Sequence, residues 1–213
     1  MKNYIRSTSF LNFEHEAIQA FVADCKDDSL SDKEKAIKVY LKVRDGIQYN
    51  ALNISEGLEH YIASNALKKE NGHCIDKSII LTACLRAVGI PARMHLAKVK
   101  NHIAAEKLIA LLGTDELAPH GMVDIYLNGK WLKTSPAFDK ETCDKYNINA
   151  LDFDGEKDSL FQEFNTEGTV FMEYLEDYGH FEDVPADRIA EIFTSTYPNF
   201  TAINAKAKTG RQK

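Results

Sequence analysis

Four cysteines and seven histidines supply the candidate nucleophiles and bases of this 213-residue chain. Their surroundings single out one of each. Cys74 follows Asn71-Gly72-His73, where Asn-Gly is a turn signal. Behind it Ile79, Ile80, Ala83, Ala87 and Val88 recur at helical spacing until Gly89-Ile90-Pro91 ends the pattern. Cys74 is therefore expected at or near a helix N-terminus, where unpaired amides and the macrodipole favour negative charge. A thiolate is the reactive form of cysteine, and such a position lowers its pKa. The competing reading is a small buried core residue.

A nucleophilic cysteine needs a base, and the base needs an orienting group. His73 adjoins Cys74, but neighbouring side chains on a helix point apart. His15 and His60 sit in segments of surface type, His102 at a polar turn, and His180 in an acidic loop. His120 differs, because it follows Pro119 and enters the clearest hairpin in the chain. Two apolar-alternating runs, 122–127 and 130–132, flank Asn128-Gly129, the favoured type I′ pair. A two-residue turn there makes Leu127 face Lys130, Met122 face Ser135 and His120 face Ala137. Ser135 and Asp139 then lie diagonally on either side of the imidazole, on its own face of the sheet.

The positioning elements are legible around these residues. A first helical pattern covers residues 14–27. Ser31 followed by Glu34 forms a capping box that opens a helix running to Asp45-Gly46. Residues 47–50 read as extended, 51–60 as a loop and 62–69 as a short helix. Residues 92–99 alternate as a half-buried strand does, and a helix through Glu106 and Ile109 ends at Gly113. From Phe138 to Tyr178 the chain is rich in Asp, Glu and Phe with weak periodicity. A short helix near 141–146, an extended stretch at 169–174 and a final helix after Pro185 are expected there.

Composition bounds the function classes. The chain is 44% hydrophobic and 27% charged, enough for one sizeable core with an appended unit. A net charge of −6 gives no electrostatic footprint for nucleic acid. No apolar run reaches bilayer length, and no apolar segment follows the first six residues as in a secretory signal. Cysteines at 25, 74, 84 and 143 form no C-x-x-C pair, so a disulfide framework and a zinc knuckle are both poorly supported. Reduced thiols and a cytoplasmic location are expected. A metal site from His73, Cys74, His95 and His102 matches no zinc spacing, and calcium loops of the D-x-D-x-D-G type are absent from the sequence.

The phrase Gly72-His73-Cys74 through Leu81, then Leu85-Arg86-Ala87 and Gly89-Ile90-Pro91-Ala92-Arg93, resembles the nucleophile helix of the transglutaminase-like superfamily. The second half of that signature, a histidine opening a strand, a turn and a tryptophan strand, reads here from His120 through Trp131 to Pro136. The resemblance spans about residues 36–140. It implies an α+β fold of papain-like type, with N-terminal helices and the nucleophile helix packed on an antiparallel sheet. Residues 1–140 would form the core, 141–200 an acidic extension packed on it, and 201–213 a flexible tail. The implied site is Cys74 and His120 with Asp139 as third member, because Ser135 stands where the family carries aspartate. Ser135 is the alternative at that position. The resemblance further implies attack on a peptide or amide carbonyl through an acyl-thioester that passes to water, as in a protease or amidase, or to an amine, as in a transglutaminase. Hydrolysis is the leading expectation, without cofactor or metal. Partners would be a peptide or protein substrate or a small amide, with no nucleic acid and no membrane. Trp131 packs under the hairpin or lines the substrate groove. The loss of the aspartate supports a rival reading, an inactive transglutaminase-like binding module.

Overall fold

In the computed structural model, residues 1–51, 53, 57–102, 105–160 and 165–197 are described. Helix α1 (Glu16–Phe21) and helix α2 (Asp32–Gly46) lead to a two-residue strand β1 (Gln48–Tyr49), helix α3 (Ala63–Leu67) and strand β2 (Asn71–Gly72). Helix α4 (Cys74–Ala87) follows, then β3 (Ala92–Asn101), α5 (Ala105–Leu112), β4 (Glu116–Leu127), β5 (Lys130–Thr134), α6 (Lys140–Tyr146), β6 (Met172–Phe181) and α7 (Ala186–Thr196). The antiparallel sheet has the order β5-β4-β3-β6. The fold is α+β, helices first and sheet after.

Helix α4 is the centre. Every residue from Ile75 to Arg86 is buried, so the helix is enclosed on all sides rather than striped. Helices α1, α2 and α3 pack on one side of it and β3 and β4 on the other. Ala92, Met94 and Leu96 of β3, with Val123 and Ile125 of β4, share its core. Near the start of β4, a second cluster of Val99, Phe138, Cys143, Ile148, Phe171 and Met172 forms beside the main core.

Two local rules hold as the sequence predicts. Ser31 and Glu34 form the capping box at the start of α2. Asn128 and Gly129 take φ of +50° and +85°, and β4 and β5 pair with Leu127 opposite Lys130 and Val123 opposite Thr134. The far end of α2 is closed by tertiary contact. Lys77 of α4 is fully buried, and its ammonium donates to the Arg44 carbonyl at 2.7 Å and the Ile47 carbonyl at 2.6 Å. Burial lowers its pKa to about 8, opposed by the nearby Asp139 and Asp45 carboxylates.

Several expectations are corrected. Asn71-Gly72 is not a turn but β2, paired in parallel with Gln48 and Tyr49. The Asn71 side chain there receives hydrogen bonds from Asn50 and Asn53 instead of bending the chain. The pattern at 14–27 splits into α1 and a 3₁₀ turn at Ala23–Cys25. His180 lies in β6 rather than in a loop. That strand is mostly exposed, so it lacks a strong alternating pattern, and pairing with the edge of β3 defines it. The expected tail at 201–213 falls outside the described residues. Among the described residues no helix is long and apolar enough to cross a membrane.

Replacing Lys77 by Met keeps much of the volume but leaves two helix-end carbonyls without a donor. Urea denaturation of Lys77→Met is expected to show a loss of about 2–4 kcal/mol. A loss below about 0.5 kcal/mol would mean that the ammonium is not what closes α2.

Candidate active site

Cys74 is the first residue of α4. The helix start is held by an imidazole: His73 Nδ1 accepts from the Ile75 amide at 3.1 Å and the Asp76 amide at 3.4 Å. In return the Asp76 carboxylate accepts from the His73 amide at 3.3 Å and from Lys69 Nζ at 2.9 Å. A side chain at Gly72 would begin 2.7 Å from Asp76 Cβ, so the glycine makes room for this reciprocal cap.

His120 reaches the same place from β4. It pairs with Ala97 of β3 and is 2% exposed. The next residue, Gly121, faces the first turn of α4: a Cβ there would lie 2.8 Å from the Cys74 carbonyl oxygen and 2.9 Å from Ile75 Cα. Such distances are too short for any side chain, and the atoms met are backbone. A glycine inside a strand marks close approach of another backbone. Here it sets the residue after His120 against the Cys74 peptide. Strand β5 pairs with β4 only from Val123 onward, so the helix start occupies a stretch that β5 leaves uncovered.

Ser135 completes the contact. Its Oγ lies 3.4 Å from His120 Nε2, while His120 Nδ1 is buried and has no hydrogen-bond partner among the described residues. The Ser135 backbone is fixed on both sides, its amide donating to the Ser159 carbonyl and its carbonyl accepting from the Tyr40 hydroxyl.

The enclosure is aromatic. Tyr49 packs edge-on against Phe138 at 4.7 Å, and Phe138 against Phe171 at 5.6 Å. The Tyr197 hydroxyl accepts from the Ala118 amide at 2.8 Å and donates to the Glu116 carbonyl at 3.1 Å. Both phenols are close enough to Cys74 for its charge to raise their pKa, in addition to the larger effect of burial. Burial acts on the ionisation of both groups. Burial pushes the Cys74 thiol up to about 11, although the amides of Gly121, Ile75 and Cys74 itself pull it down. Burial alone takes the His120 imidazole down to about 4. Desolvation thus opposes the thiolate that the helix N-terminus favours, and it opposes the imidazolium as well.

The structure does not bring Asp139 to His120. Asp139 is the N-cap of α6: one oxygen accepts from the Thr142 amide, the other from the Thr142 hydroxyl and the Tyr49 amide. Beyond Thr134 the chain leaves the strand, and the diagonal extrapolated through Pro136 does not apply. Trp131 does not line the site either. It pairs with Tyr126, six residues along β4 from His120, or about 20 Å. There it packs edge-to-face with Tyr4 and Tyr126 and lies under the Arg93 guanidinium, 4.0 Å from its ring. Cys25, Cys84 and Cys143 are all buried and outside any disulfide. His95 bridges Asp124 and Asp177, and His102 lies near Glu173. Among the described residues no three His, Cys, Asp or Glu are grouped to hold a metal ion. Sequence reasoning missed Gly121 and the capping role of His73. The first had a signal, a lone glycine beside a histidine within a bulky strand.

Two outcomes follow from this geometry. Iodoacetamide labelling of Cys74 should climb through pH 8–10 with no flat region at acid pH, because the thiolate is scarce near neutrality; a rate already level below about pH 6 would reveal an ion pair instead. Gly121→Ala should cost about 1–3 kcal/mol in denaturant unfolding and alter Cys74 labelling, since helix and strand must separate. Unchanged stability would contradict the backbone contact.

Comparison with known proteins bears on the family and the fold. A sequence model of the Transglutaminase-like superfamily matches residues 19–136, more than half of the chain. No curated protein matches. A candidate cysteine protease from Cytophaga hutchinsonii shares the fold with a TM-score of 0.53 at 12% sequence identity, over 87% of this chain and 48% of that one. The chain thus spans about half the length of that protein. The matched segment holds Cys74, His120 and Ser135 together, and the chain belongs to the transglutaminase-like superfamily.

Proposed function

We propose that this chain is a thiol enzyme that hydrolyses a peptide or amide bond through Cys74 and His120. The observation that carries the reading is the seating of Gly121 on the Cys74 peptide, beside an imidazole whose Nδ1 is buried and unpartnered. As Sγ attacks the carbonyl carbon, Nδ1 takes the thiol proton, and Nε2–H donates to Ser135 Oγ. Backbone amides at the start of α4 and at Gly121 face the developing oxyanion. Collapse breaks the C–N bond, and the imidazolium returns its proton to the leaving amine. Water, deprotonated by the same nitrogen, then cleaves the thioester, releasing the acid and restoring the thiol. The Cytophaga hutchinsonii neighbour, itself named as a candidate protease, supports water as acceptor. An amine at that step would give transamidation from the same intermediate.

The rival reading is a binding module without turnover, and one observation favours it: a hydroxyl rather than a carboxylate faces Nε2. A peptide library followed by mass spectrometry separates the two. Cleavage that disappears in Cys74→Ala and His120→Ala is expected, with an oxygen from labelled water in the new carboxyl. Binding of the same peptides without cleavage in the wild type would give the module reading the lead. Ser135→Asp should raise the cleavage rate by about ten- to a hundred-fold by stabilising the imidazolium. No gain would mean that residue 135 does not orient the base.

A further inference from the structure

We propose that His73 is a positioning residue for the nucleophile: its neutral imidazole holds the first turn of α4, and its protonation releases Cys74 from register with His120. The inference rests on the Cys74–His120 reading above.

Helix N-caps are ordinarily Asp, Asn, Ser or Thr, none of which changes from acceptor to donor near neutral pH. Here the cap is an imidazole. Nδ1 receives the Ile75 and Asp76 amides at 3.1 and 3.4 Å, so it must carry a lone pair, and the proton of the neutral ring sits on Nε2. Cys74 is the residue spanned by this cap. The Ile75 amide that His73 orients is also one of those acting on the thiol, so cap and nucleophile share one donor.

A second proton would undo the arrangement in two ways. Nδ1–H would face two N–H donors, and a cation would sit at the positive end of the helix. The groups around the ring divide. Asp76, within 3.6 Å of Nε2, favours the cation. Lys69, from the segment after α3, opposes it while pairing with the same carboxylate. The Tyr61 phenol feels Asp76 as well. Burial is the largest influence and lowers the His73 pKa. For a group so depressed, the contribution is full above the ordinary imidazole value of about 6.5 and is lost as pH falls through the folded value.

Two measurements on wild type, His73→Ala and His73→Asn test this: amide-exchange protection of Ile75 and Asp76 from pH 4 to 8, and the acceleration of Cys74 labelling by iodoacetamide that His120 provides, taken against His120→Ala in each background. His73→Ala should lose roughly five- to ten-fold in protection and in that acceleration. His73→Asn, a cap that does not titrate, should keep both within about two-fold and hold its protection at acid pH where the wild type loses it. The proposal is overturned if His73→Ala leaves protection intact, if Asn fails as Ala does, or if the wild type and Asn profiles coincide. Wild-type labelling that ignores His120 altogether would sink the functional reading instead, while the protection profile would still judge His73.

Discussion

Strand β4 and helix α4 meet backbone to backbone, and residue 121 has no room for even a methyl group between them. The position of α4 along its own axis is set by that contact, and two buried cations hold it from either end. Near the start, Lys77 donates to the last carbonyls of α2. Near the finish, Arg86 donates to the carbonyls of Ala92, Arg6 and Glu182. Both cations neutralise orphan acceptors that a buried segment cannot leave unmade. Side-chain packing around a helix tolerates small shifts; these directional bonds do not. They are what allow a thiol on one element to be aimed by an amide on another.

The charges near the site are committed elsewhere. Asp76 is taken by Lys69 and the His73 amide, Asp139 by Thr142 and the Tyr49 amide, and Asp124 by Arg93 and His95. What lies near Cys74 and His120 is the Ser135 hydroxyl, the Tyr49 and Tyr197 phenols and the Gly121 backbone. Burial raises the thiol pKa and lowers that of the imidazole, because each charged form alone lacks solvation. The same dryness strengthens the interaction between any charges placed there.

Local signals in the sequence located the elements well and their consequences less well. Asn128-Gly129 fixes a turn whose φ values only such residues adopt easily, and the register of β4 and β5 follows from it by counting. The cysteine at the head of an apolar, Gly-Pro-terminated run was likewise legible. Asp139 was not, because the period-two argument assumes a strand that persists, and β5 ends at Thr134, before Pro136. The charge state of Cys74 escaped for a different reason. A helix N-terminus is visible in sequence, whereas burial of the thiol depends on segments tens of residues away, those carrying Tyr49 and Tyr197 among them. Strand β6 has too few buried positions to announce itself; its pairing with β3 is a property of the edge it covers.

Ser135 illustrates how one substitution fits the rest of the enclosure. A carboxylate at this position would be buried beside a neutral imidazole, with Tyr40 bonded to the adjacent carbonyl and no cation to pair with it until a proton reached His120. Burying such a charge is costly, and the coupled outcome would be an imidazolium stabilised at rest. A hydroxyl needs no partner of opposite charge. It can accept from Nε2–H without changing the charge of the site. A neutral side chain at this position is in keeping with the burial of His120, which is 2% exposed.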